Sequence, residues 1–382
     1  MGRLRRFSRK TVLLSLVAVL AADRLVSAMD TLTARRDGVE FTVVGRTLVE
    51  ALDGGVLLQS PDGTLWTLKP EEILSKASDD TPFRSFTREE YSDFLLKQLP
   101  EDFTVHPTAH YLIFHNTSRN YAQWCGSLFE RLYMAFSNYW KQKGLKLSEP
   151  EFPLAAVVFK DRKSYMAYAE AELGGAVEVV VGFYSLRTNR MTMFDLSETA
   201  QYAGDRGARA AINQILMQLN AFKTVSTIVH EATHQIAFNR GMHQRYADCP
   251  LWFVEGLAVY FETPDLRSAR GWRDIGGVNQ LRLSDFAKYA RRRPSDSLRT
   301  LIQNDTRCRD PSTAIDAYSE AWALTYFLIR KRPKEYVKYV KMLGEKKPMR
   351  FGDEETRLRE FQEHFGNLDD LETEFMRYMQ QP

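Results

Sequence analysis

Two histidines one helical turn apart, with a glutamate beside the first, constrain this chain more than any other feature in it. His230-Glu231-Ala232-Thr233-His234 lies where Val225, Ile228, Val229, Ala232 and Ile236 recur at helical spacing, and Gly241 follows as a stop. At about 100° per residue, His230, Glu231 and His234 share one arc of roughly 100°. Both imidazoles can then reach one zinc ion at about 2.0–2.1 Å. Glu231 stands beside them, where its carboxylate can reach a water in an open coordination position. Among 382 residues with seven histidines, the pattern arises by chance in roughly one chain in a hundred, so it needs support from elsewhere.

That support comes 21 residues after His234, in Pro250-Leu251-Trp252-Phe253-Val254-Glu255-Gly256-Leu257-Ala258. Leu251, Val254, Leu257, Ala258 and Phe261 give this segment helical periodicity, and Glu255 is an acid inside it. A buried carboxylate without a partner is costly, so such acids are paired or bind metal. A catalytic zinc needs a third protein ligand, and two histidines with a glutamate is one known set. Glu255 is the candidate; pairing with an arginine elsewhere is the structural alternative. Glu262, seven residues on, is a rival third ligand near the helix end, where Thr263 and Pro264 follow.

The rest of the chain reads as an α+β protein. Residues 3–10 are basic, 11–22 are apolar, and Val26-Ser27-Ala28 offers small residues for cleavage. That is the layout of a secretory signal peptide over residues 1–28, with an uncleaved N-terminal anchor as the alternative. About twelve apolar residues are too few for a spanning helix of roughly twenty. Residues 31–72 read as a small β domain of SH3-like size, its β-prone runs punctuated by DGG and PDG. Residues 73–104 read as a polar linker and a helix. Beyond them, strands are expected at 109–115, 153–160, 178–186 and 190–196. Helices are expected at 119–142, 161–172, 207–220, 222–239, 250–262, 313–331, 334–344 and 354–380. The order is a β unit, a mixed lobe and a helical lobe.

HEATHQIAFNRG followed by PLWFVEGLAVYFE resembles the gluzincin branch of zinc metallopeptidases, the thermolysin-like, peptidase-MA-like superfamily, and within it an uncharacterised family of secreted bacterial proteins. The likeness is tight over 226–262, extends over about 105–380, and leaves out the β unit. It implies a zincin-like domain over 105–382, whose sheet lobe and helical lobe join at the HExxH helix. It also implies zinc on His230, His234 and Glu255, with Glu231 as general base. An antiparallel-edged sheet should flank the site, and the strand at 190–196 is the candidate for the edge that pairs with an extended peptide. Many members supply a tyrosine or histidine that hydrogen-bonds the oxyanion. Here the candidates are Tyr318, His243 and Tyr260, and Tyr318 sits early in a helix where the likeness would put it.

The resulting expectation is an exported, zinc-dependent peptidase acting on a peptide or protein. The alternative is a catalytically silent binding protein that keeps the fold. The first 28 residues carry a net +5, and without them the formal +3 becomes −2. A mature chain so close to neutral has no bulk electrostatic reason to bind nucleic acid. Oligomeric state is not readable. Cys249 and Cys308 could pair in an oxidising compartment, while Cys125 reads as a buried thiol. His106, His110 and His115 make no metal site by themselves, and His364 reads as ordinary. Arg291-Arg292-Arg293 reads as a solvated loop.

Overall fold

A computed structural model describes residues 28–178, 180–196, 219–263 and 275–380. Residues 1–27 of the expected leader and the helix expected at 207–220, apart from its last two residues, lie outside these. The architecture is mixed α+β, with two five-stranded sheets ahead of a helical region.

The first sheet comprises β1 (Ala28–Arg36), β2 (Val39–Glu50), β3 (Val56–Gln59), β4 (Leu65–Leu68) and β5 (Ile73–Pro82), in the order β4-β3-β2-β1-β5 with antiparallel neighbours. Leu32, Ala34, Val43, Val56, Leu58 and Leu68 form its own small core. Two corrections follow. The polar stretch after residue 72 is not a linker throughout. Its first ten residues are β5, and β1 begins at Ala28, ahead of the boundary expected at 31. Strand β5 is exposed at nearly every residue. Backbone pairing with β1 holds it, and that leaves no apolar alternation to read.

After α1 (Arg88–Leu96), the second sheet comprises β6 (Thr104–Pro107), β7 (Tyr111–His115), β8 (Leu154–Phe159), β9 (Gly182–Tyr184) and β10 (Arg190–Phe194), in the order β6-β7-β8-β10-β9. Strands β7, β8 and β10 run parallel, connected through α2 (Arg119–Gln142) and α3 (Arg162–Leu173); β9 returns antiparallel to β10. The strand at 190–196 is therefore not the edge. β10 is flanked on both sides and buried throughout, and the edge on its side of the sheet is the short β9, with β6 at the other edge. Sequence periodicity does not encode strand order, so this reversal was not readable.

The helical region begins with α4 (Leu219–Asn239), which carries the HExxH residues, and α5 (Leu251–Phe261), which carries Glu255. Val225, Ile228, Val229, Ala232 and Ile236 are buried, as their spacing predicts. Then come α6 (Gln280–Ala290), α7 (Ser297–Gln303), the short α8 (Thr306–Arg309), α9 (Ala314–Lys331) and α10 (Pro333–Glu345). The helix expected at 354–380 is two, α11 (Glu354–Phe365) and α12 (Leu368–Met379). They part at Gly366, whose φ of +87° ends α11. One core joins α2, α4, α5, α9, α10 and the last two helices to the inner face of the second sheet. The basic run at 291–293 is only partly solvated. Arg292 pairs with Asp316 at 2.8 Å, but Arg293 is buried between Glu320 and Glu372.

Candidate metal centre

The sequence places Glu231, His230 and His234 on one arc of α4. What the sequence could not supply is how that arc meets the rest of the molecule. Gln235, fully buried, donates through Nε2 to the carbonyls of Ala155 on β8 and Asn189 before β10, at 2.9 and 3.0 Å. Those bonds fix α4 against the sheet at a set height. Helix α5 is fixed from the other side. Its first amide, at Leu251, donates to Asp305 Oδ1 at 3.0 Å, satisfying a donor that a helix start leaves open. Gly256 then lets α5 and α9 touch. A Cβ there would overlap Thr325 Oγ1 and the Ala321 carbonyl. This close crossing brings the next residue back, Glu255, and Tyr318 on α9 towards α4.

The three expected ligand residues converge. His230 Nε2 lies 3.0 Å from His234 Nε2 and 3.1 Å from Glu255 Oε2, and His234 Nε2 lies 3.7 Å from the same oxygen. Each side chain is only 11–13% exposed, so the group is enclosed but not sealed. Glu255 thus has histidine partners and no arginine. Burial opposes its charge, yet His234 and His230 hold its carboxyl well below the usual range.

Glu262 is not a rival for the same position. Its Oε1 lies 2.8 Å from His230 Nδ1, on the far side of the ring. With a hydrogen on Nδ1, His230 donates to Glu262 and turns the lone pair of Nε2 towards His234 and Glu255. Burial works against a charge on His230, but its bonds to Glu255 and Glu262 raise its pKa well above the ordinary histidine value. Glu262 is itself steadied by Asn279 Nδ2 at 3.4 Å and faces Arg282 at 3.9 Å. A signal for this was present: seven residues past Glu255 is two turns, hence the same helix face.

Glu231 is held by an unexpected partner. The backbone N–H of Tyr184, on edge strand β9, donates to Glu231 Oε2 at 2.9 Å. Burial raises the carboxyl above its ordinary range, against the pull of His230 and His234. The antiparallel edge therefore does sit beside the acid, supplied by β9.

The three oxyanion candidates separate. Tyr318 faces the cluster: its phenol is pushed up by burial first and then by the Glu255 carboxylate, with Cys308 and Glu231 adding to it. Tyr260 points elsewhere, its hydroxyl 2.7 Å from that of Tyr139. It is five residues beyond Glu255, about 140° round the helix. His243 is fully buried, edge-on to Phe238 and Phe253, with neither ring nitrogen bonded, and burial pushes it down to about 3. Cys249 and Cys308 are free thiols. Cys249 lies by the Asp248–Lys346–Arg357 cluster, while Cys308 lies towards Glu255.

The donor set suits a metal. Donors on one tetrahedral zinc with bonds of about 2.0–2.1 Å stand roughly 3.3 Å apart; the three distances here bracket that value. His230, His234 and Glu255 form a cluster that could hold a metal ion, the only such group among the described residues. A family described as "Protein of unknown function (DUF1570)" matches residues 224–350, about a third of the chain and the part that holds His230, Glu231 and His234, α5 and Tyr318. No curated protein matches the chain.

Proposed function

We propose that this chain is an exported zinc metallopeptidase with a zincin-like catalytic domain. The observation that carries the reading is the convergence of His230 Nε2, His234 Nε2 and Glu255 Oε2 within 3.0–3.7 Å, with Glu231 beside them on the same helix arc. Those three atoms would hold the ion. When bound, zinc would acidify a water and polarise a carbonyl.

The chain's own residues account for the rest. Glu231, one oxygen tied to the Tyr184 amide, uses the other to take a proton from the attacking water. The remaining hydroxyl adds to the peptide carbonyl carbon. Glu231 then passes the proton to the leaving nitrogen as the C–N bond breaks. Tyr318 donates a hydrogen bond to the oxyanion that forms on the carbonyl oxygen. Glu262, through Nδ1, keeps His230 turned correctly. The open side of β9 offers a backbone edge for an extended peptide, which favours peptides over other carbonyl substrates. The leader pattern at the N-terminus supports export. No described helix is long and apolar enough to cross a membrane.

Metal content decides the reading. Purified chain should carry one zinc, lost in Glu255→Ala, while Glu231→Gln should keep the ion and lose hydrolysis of casein. A chain from zinc-replete medium that holds no metal overturns it.

A further inference from the structure

A cleft of about 660 Å³ separates the first sheet from the C-terminal end of α4. Its size falls within the range of ligand sites, roughly 300–1,000 Å³. Phe238 and Phe152 line it together with Leu65 of β4, giving it an apolar component. Its charges are unevenly matched. Each acid lining it already has a cation: Glu50 has Lys76 at 2.8 Å, Glu149 has Arg240 at 3.0 Å, and Glu151 has Arg46 at 2.7 Å. Three of its cations have no carboxylate. Arg245 bonds only backbone carbonyls, those of Leu186, Arg187 and Gly63. Lys347 and Arg350 are exposed, and neither forms an ion pair among the described residues. The cleft therefore holds surplus positive charge over a lining that is apolar only in part.

Its position relates it to the metal centre. Phe238 is seven residues beyond Glu231, so both lie on nearly the same face of α4, about 10.5 Å apart along the axis. Tyr184 joins them physically: its amide is bonded to Glu231 and its ring stacks on Phe238, centroids 5.7 Å apart. A strand advances about 3.3 Å per residue, so roughly three residues span the interval.

We propose that this cleft binds the acidic flank of a peptide, three or more residues from the bond presented to Glu231. This rests on the peptidase reading for the placement of the bond, and on the cleft alone for the binding. Specificity would then be set partly by the first sheet and the segment after α10, neither of which touches the metal cluster.

The test uses full-length protein and two fluorescein-labelled dodecapeptides, one rich in glutamate and the other its glutamine isostere, followed by anisotropy. The acidic peptide should bind about fivefold to tenfold tighter, and added salt should erase the margin. The Lys347→Glu/Arg350→Glu double variant should lose the discrimination while keeping the zinc content and cleavage of a neutral peptide. Equal binding of the two peptides overturns the proposal, as does discrimination that survives the double substitution. An oligodeoxythymidylate of equal charge that binds as well as the acidic peptide overturns the assignment to peptide. Discrimination in binding without cleavage of any peptide supports the cleft and overturns only the peptidase reading.

Discussion

Two buried acids on touching helices are satisfied in opposite ways. Glu320 on α9 lies between Arg293 at 2.6 Å and Arg307 at 2.9 Å, and accepts from Ser297 Oγ at 2.7 Å. With Glu372 also on Arg293, two carboxylates meet two guanidiniums. Glu255 on α5 meets two imidazoles, and Glu231 and Glu262 stand near the same histidines. One guanidinium, Arg282, approaches that group, 3.9 Å from Glu262. The first cluster is balanced as it stands. The second is short of positive charge and directs lone pairs at one point. Burial of an acid thus says little about function, whereas the kind of partner says a great deal.

The contrast can be broken in several ways. The largest effect is expected at Glu231→Gln, which should cut peptide hydrolysis by roughly 10²–10⁴ and leave the metal in place, because the amide cannot take a proton. Hydrolysis that survives intact would remove Glu231 from the mechanism. Next, Glu320→Ala leaves Arg307 without its carboxylate and Arg293 with Glu372 alone, and should destabilise the fold by about 3–5 kcal/mol in urea titration, with metal stoichiometry unchanged. If that variant loses its metal while remaining folded, the two clusters are not independent. Tyr318→Phe should lower kcat by about 10²–10³ with little change in metal affinity, the signature of a lost oxyanion donor. An unaltered kcat would leave Tyr318 as packing. The smallest effect is expected at Glu262→Ala, which should weaken metal binding roughly 10- to 100-fold in a chelator competition, since His230 loses only the group that turns it. Loss of binding altogether would make Glu262 a ligand.

The sequence was most legible where one pattern determines one element. Helix α2 spans 119–142 as its apolar spacing predicts, and Phe129, Leu132, Phe136 and Trp140 are buried along one side. The His230, His234 and Glu255 triad was legible for a similar reason: two helix periods and one misplaced acid. Strand β5 was not, because its cohesion is in the backbone. The edge role of β9 was not, because strand order is a property of the assembled sheet. Arg293 resembled any surface cation until Glu320 and Glu372 closed on it from two helices far along the chain. Tyr184 enters through an amide that every residue type shares, so no side-chain pattern could announce it.

The contact between Asp62 and Arg190 bears on how this molecule could be cut and rejoined. Arg190, on β10, is bonded to Asp62 at 3.0 Å, with both side chains almost wholly buried, and Asp62 belongs to the turn between β3 and β4. The Leu65 amide nearby donates to the carbonyl of Arg187 at 2.8 Å. A graft that took the chain from residue 105 onward would carry away a buried guanidinium without its counter-ion, at a cost of about 3–5 kcal/mol. Despite its separate core, the first sheet is not a detachable module. A junction for transplantation placed between β5 and β6 would sever β10 and its neighbour β9, which is bonded to Glu231, from that support.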